Sequence, residues 1–301
     1  MKVARSQNAE LHSRQVNVAD AFANVSTDYL SNAVYTISVP RHAVAEPGTN
    51  AKIAAWIKSE LESFGYDVRF QGEYDNVVAI PPKCDGPFLL VGAHYDSVPA
   101  CPGADDNASA VAVLLMCAKA ISRIDPSLPV CFVAFNREED GFLGSADFVR
   151  NYLGDKKGVV AGCHILEMVG YSSDEKGSQK LPPGLPINLP DTGNFLGVLG
   201  NHKSVGLVDG ILSAGKSYVP DFEVIGLKLF LGAERLIPNL NRSDHVPFWA
   251  AGIPATMWTD TADFRNPNYH RPTDTPDTLS YGFMAKVTKL LIASLMIRES
   301  A

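Results

Sequence analysis

Six side chains in this sequence are of types that hold metal ions or move protons, and they fall at strand ends, within apolar runs or in the loop that follows: His94, Asp106, Glu138, Glu139, Glu167 and His270. Imidazoles and carboxylates without thiolates suit a catalytic zinc, or another borderline divalent metal, better than a structural one. Two ions sharing a bridging carboxylate and a water need about five ligands, and a free carboxylate must take the water's proton. The six side chains divide as five and one. Each also has an ordinary reading. Asp105-Asp106 precedes a helical run starting at Ala108 and serves equally as a cap and first-turn charge. Glu138-Glu139 alone reads as solvated loop charge, and His270 as a loop histidine packed against Tyr269 and Pro272. Glu167 differs, because a lone acid between Leu166 and Met168 is costly to bury without a partner.

The elements that carry these residues follow from hydrophobic patterning. The apolar run from Phe88 to Val91 delivers His94 to the C-terminal end of a parallel strand, where open α/β sheets place their chemistry. Further strands are predicted at 67–71, 76–80, 130–135 and 253–258, with Glu167 inside another that begins at His164. Helices are predicted at 52–64 with Gly65 as C-cap, 108–121, 142–152, 202–212 and 280–296. Arg242-Ser-Asp-His-Val-Pro begins a short helix with Ser243 as cap. The alternation predicts an α/β fold, a three-layer α/β/α sandwich with a mixed, mostly parallel central sheet, in a single domain over 1–301. Residues up to about Ala45 read as a helical lead-in without visible chemistry, with Val18, Phe22, Val25 and Tyr29 at helical spacing. The stretch 172–194 has the length of a functional rim or lid.

Composition narrows the partners. At 46% hydrophobic and 20% charged, the 301 residues can build a substantial core. A net charge of −7 argues against nucleic acid or an anionic membrane surface as the main partner. No window approaches a run of 18 apolar residues, so no membrane span is expected. Five cysteines, Cys84, Cys101, Cys117, Cys131 and Cys163, contain no Cys-x-x-Cys pair and suggest neither a disulfide framework nor a thiolate zinc site. No apolar stretch follows the basic start, so the expected setting is cytoplasmic.

Six ordered motifs carry a resemblance: His-Tyr-Asp-Ser-Val at His94, Pro-Gly-Ala-Asp-Asp-Asn-Ala-Ser at Pro102, Asn-Arg-Glu-Glu-Asp-Gly-Phe-Leu-Gly-Ser at Asn136, Leu-Glu-Met-Val-Gly-Tyr at Leu166, Ser-Asp-His-Val-Pro-Phe at Ser243, and Tyr-His at Tyr269. From Lys52 onward the chain resembles the zinc-dependent exopeptidases, a family that includes the bacterial leucyl-type di-zinc aminopeptidases, glutamate carboxypeptidase and the glutaminyl cyclases. The resemblance implies that His94 binds one metal, that Asp106 bridges two Zn2+ ions, and that Glu139 and Glu167 serve one metal each. His270 completes the second site, Glu138 is the general base and later acid, and Asp96 stands behind His94. It also implies a cis peptide at Asp106–Asn107. Tyr269, directly before His270, is a candidate oxyanion donor or a packing residue. Adjacent Ser243-Asp244-His245 cannot align as a hydrolytic triad, and Asp244 and His245 are expected to support the site or its rim. The chain departs from the family pattern at Glu167, where many members have Asp, and at Ala110, where Gly is usual.

The expected function is a di-zinc hydrolase of peptide bonds, foremost an aminopeptidase on short peptides, with N-acyl amino acids as a further substrate class. A single-zinc glutaminyl-peptide cyclotransferase shares much of the ligand set, but Asp105-Asp106-Asn107 is closer to the hydrolase version of that loop. A carboxypeptidase or N-acyl amino acid amidohydrolase would need cations at the rim, for which Arg235, Arg242, Arg265 and Arg271 are candidates. A binding module without activity is disfavoured by the intact Glu138.

Overall fold

The computed structural model describes residues 1–5, 12–13, 18–82, 86–154, 159–181 and 187–298. Cys84 and part of the 172–194 stretch lie outside them. Among the described residues, nine strands form one sheet: β1 (Lys2–Arg5), β2 (Asp67–Gln71), β3 (Asn76–Ile80), β4 (Phe88–His94), β5 (Val130–Phe135), β6 (Val160–Leu166), β7 (Leu196–Gly200), β8 (Val224–Lys228) and β9 (Ala255–Thr259). Their order across the sheet is β1-β8-β7-β9-β6-β4-β5-β3-β2. The central strands β9, β6, β4 and β5 run parallel, as do β7 and β8, while the remaining pairings are antiparallel. The parallel share is therefore concentrated in the centre, where both faces are covered and the strands are mostly apolar, His164 and Thr256 excepted.

Strand alternation divides the core. Val91, Phe132, Leu166 and Trp258 point into a cluster shared with α1 (Val18–Ala23), α2 (Thr27–Ile37), α3 (Pro47–Ser63), α4 (Ala110–Ile124), α6 (Val205–Tyr218) and α8 (Tyr281–Met296). Their neighbours Leu90, Val133 and Ile165 point the other way, onto Phe148 after α5 (Leu143–Asp147) and Phe248 of α7 (His245–Ala250). The stretch Ala104–Ile124 is long and apolar enough to cross a membrane, but most of it is buried inside the fold as the central core helix.

The N-terminal region is more than a helical lead-in. Lys2–Arg5 adds an antiparallel edge strand to β8, and the helical part is two helices, α1 and α2. α3 begins five residues before the expected Lys52, because Pro47 takes its first position, where its missing N–H costs nothing. Glu167 lies one residue beyond β6 rather than inside it. Ser243 is not a side-chain cap of α7. Asp244 occupies the cap position, and the Ser243 hydroxyl is used elsewhere.

Candidate metal centre

The C-terminal ends of β4, β5, β6 and the loop after β9 converge on one polar cluster. His94 is the last residue of β4, Glu138 and Glu139 follow β5 closely, Glu167 follows β6, and Asp106 lies in the irregular turn Ala104–Ser109 before α4. Asp106 faces two imidazoles at once: its Oδ1 is 3.3 Å from His94 Nε2 and its Oδ2 is 3.1 Å from His270 Nε2. Glu167 Oε2 lies 3.4 Å from His94 Nε2, and Glu139 Oε2 lies 3.5 Å from His270 Nε2. Glu138 is set further back, with Oε2 at 3.9 Å from His94 Nε2.

These spacings are compatible with a coordination shell, and the convergent sets are His94, Glu138 and Glu167 on one side and His94, Asp106 and Glu139 on the other. With zinc–ligand bonds of about 2.0–2.1 Å, neighbouring ligand atoms of a tetrahedral ion are separated by about 3.3–3.4 Å. The His94, Asp106, Glu167, Glu139 and His270 contacts of 3.1–3.5 Å match that edge, and the Glu138 contact exceeds it. Among the described residues, His94 Nε2, Asp106 Oδ1 and Glu139 Oε1 are buried and make no hydrogen bond. Buried polar atoms are normally paired, so a set of convergent orphans fits a cation between them.

Electrostatics agree. Burial pushes the Glu138 carboxyl well above its usual range, with His94 opposing and Glu167, Asp244 and Glu139 adding to the rise. Glu139 and Glu167 are raised by burial in the same way. At Asp106 burial also acts upward, but His270 and His94 outweigh it and hold the group below the ordinary carboxylate range. Burial disfavours the His94 charge, yet Glu138 and Glu167 raise its proton affinity. Several carboxylates that resist ionisation together would be held as anions by a divalent ion at their centre.

The supporting contacts are specific. Asp96 Oδ1 lies 3.3 Å from His94 Nδ1, and its two oxygens accept the Glu138 and Glu139 amides at 3.2 and 3.3 Å. Ser243 donates to Glu167 Oε2 at 2.7 Å. The Asn107 side chain brackets Glu167, donating to the Leu166 carbonyl at 3.0 Å and accepting the Met168 amide at 2.9 Å. The Asp106–Asn107 peptide is cis. Three non-glycine residues at the centre are left-handed, Arg137 before Glu138, Met168 after Glu167, and His270 itself, with φ of 60°, 48° and 55°. Such conformations cost on the order of 1–3 kcal/mol and cluster at functional sites.

Of the two residues expected to support the site or its rim, Asp244 acts electrostatically on Glu138, while His245 is used in the turn before α7. His245 Nε2 donates to the Leu240 carbonyl at 2.9 Å, its ring packs against Trp249, and burial lowers its pKa to about 4. It shapes the turn before α7 and touches none of the clustered acids. Asp244 accepts the Ser145 hydroxyl at 2.5 Å, and burial raises its pKa to about 7. The Asp105 carboxylate turns away from the cluster, accepting from Gly170 N and Asn266 Nδ2. Asp274, an acid in a Pro- and Thr-rich loop, carries no signal in the sequence. Its carboxylate accepts the Asp105 and Asp106 amides at 2.9 and 3.1 Å and so orients the chain at Asp106. Tyr269 stacks on His270, and burial and Asp106 keep its phenol protonated. An apolar recess of about 120 Å³ opens beside Glu167 and Tyr269, lined by Phe195, Leu199, Ile225, Met257 and Phe264 among others.

The sequence pattern described as Peptidase family M28 matches residues 76–186 and 232–295. Uncharacterized protein YfbL of Escherichia coli is 36% identical over 287 residues, spanning 89% of this chain and 84% of that protein. Aminopeptidase YwaD of Bacillus subtilis is 30% identical over 227 residues, spanning 73% of this chain but 44% of that protein. The solved LapA aminopeptidase of Legionella pneumophila shares the fold, with a TM-score of 0.74 at 19% identity over 96% of this chain and 76% of that one. Fold, donor set and relatives define a zinc-dependent peptidase. The chain belongs to peptidase family M28.

Proposed function

We propose that this chain is a di-zinc aminopeptidase that releases N-terminal residues with apolar side chains from short peptides. The observation that carries the proposal is Asp106, whose two oxygens face His94 on one side and His270 on the other. His94, Asp106 and Glu167 would hold one ion, and Asp106, Glu139 and His270 the other. When bound, zinc supplies Lewis acidity that acidifies water and polarises the scissile carbonyl. Glu138, close to the centre but beyond ligand spacing, takes the attacking water's proton on its carboxylate and later delivers it to the leaving amine nitrogen. The protonated Tyr269 phenol donates a hydrogen bond to the carbonyl oxygen as negative charge develops there.

The direction of binding follows from what faces the site. A cavity of roughly 150 Å³ admits a benzene-sized group, so the recess has the scale of a leucine or phenylalanine side chain. Glu138 and Glu167 supply negative charge for a substrate ammonium group. Of the cations a carboxypeptidase would use, two are engaged, while Arg271, beside His270, is exposed. Arg242 pairs with Asp263 at 2.8 Å, and buried Arg265 donates to Gln179 and to the Phe195 carbonyl. The Arg235 side chain lies outside the described residues.

Leucine amide is expected to be hydrolysed and N-acetyl-leucine amide is not, by at least about 100-fold in kcat/KM, because acetylation removes the ammonium charge. Equal rates, or release of residues from the C-terminus of a blocked peptide, would reverse the assignment. Asp274→Ala deletes the acceptor for two amides at the bridging turn. It should weaken zinc binding by roughly 10–100-fold, measured by competition with a chromophoric chelator.

A further inference from the structure

The guanidinium of Arg41 is fully buried and has no ion-pair partner among the described residues. Its N–H groups go to backbone carbonyls instead. Nε donates to Tyr95 O at 2.6 Å, Nη1 to Val39 O and Pro102 O, and Nη2 to Gly103 O at 2.9 Å. Tyr95 directly follows His94, while Pro102 and Gly103 lead into Asp106, so one rigid planar fork spans both ends of the loop between them. A Cβ on Gly103 would lie 2.2 Å from the Asp106 carbonyl oxygen and 3.1 Å from Arg41 Nη2, so this turn has no room to give. The same segment reaches the next ligand loop. Asn50 donates to the Arg41 carbonyl and exchanges amide hydrogen bonds with Asn136, and His42 Nε2 lies 3.5 Å from Asp140.

Burying a guanidinium without a carboxylate partner is costly; a methionine of similar length would avoid that cost but leave the Tyr95, Pro102 and Gly103 carbonyls without their donor. The acids nearest to it electrostatically are Asp96, Asp106 and Asp274, all in the metal centre or directly behind it. Arg41 precedes residue 76, where the family match begins. We infer that Arg41 is a positioning residue for the zinc centre: it fixes the separation of His94 and Asp106 through their flanking carbonyls and places a permanent positive charge behind the acids. This inference rests on the zinc reading above.

The test compares Arg41→Met and Arg41→Lys with the full wild-type chain. Zinc affinity is measured by competition with a chromophoric chelator, the ligand field by the visible spectrum of the cobalt-substituted protein, and folding by circular dichroism without metal. Arg41→Met should fold, bind zinc roughly 10–100-fold more weakly and shift the cobalt bands. Arg41→Lys keeps the charge but not the fork, so it should fall between the two. Wild-type affinity and cobalt spectrum in either folded variant would overturn the inference, as would a loss of folding in both, since Arg41 would then serve the whole fold. A wild-type chain that binds no zinc would overturn the functional reading first.

Discussion

Replacing Glu138 by glutamine is expected to lower kcat about 100- to 10,000-fold, the range that a general acid–base group contributes, with zinc content unchanged. Glutamine preserves the side chain's shape but has no oxygen basic enough to accept the water's proton. Retention of metal follows from the spacing, since Glu138 lies 3.9 Å from His94 Nε2 whereas Asp106 and Glu167 lie at 3.3 and 3.4 Å. Its amide is held independently by Asp96, so the backbone should not move. The check is kcat on leucine amide together with zinc per chain. Loss of metal in step with activity would make Glu138 a ligand, and unchanged kcat would require another base.

Asp106→Asn should have an equally large effect by a different route. A carboxylate offers one oxygen to each side, whereas an amide presents an NH2 group to one of the two imidazoles and carries no charge. Zinc content should fall to one ion or fewer per chain, and leucine amide hydrolysis should drop to the level of chelated wild type. The metal-free variant should melt below metal-free wild type, because the His94 and His270 contacts that hold Asp106 ionised are lost while both imidazoles stay buried. Full zinc content with full activity would show that Asp106 does not bridge.

The parts of this site that were legible in the sequence share a physical cause. His94, Glu138, Glu139 and Glu167 lie at or just past the ends of mostly apolar strands, where a polar residue stands out against its surroundings. Asp106 and His270 stand in irregular loops and were legible only through the family resemblance of the motifs around them. Tertiary partners with no local pattern were not. Arg41 and Asp274 are single charges in ordinary loop composition, and their roles depend on carbonyls and amides more than 50 residues away. The edge strand Lys2–Arg5 is four residues long, too short for alternation to show. Ser243 looked like a helix cap because serine before a helix is usually one, but its hydroxyl makes a stronger bond to the Glu167 carboxylate.

Zinc per chain at controlled free metal, read by elemental analysis after equilibrium dialysis, tests the central claim most directly. The arrangement of Asp106 between His94 and His270 predicts two ions per chain, with leucine amide hydrolysis lost on chelation and recovered on re-addition. One ion without hydrolysis would favour the cyclotransferase chemistry instead, and no bound metal would contradict the proposed centre altogether.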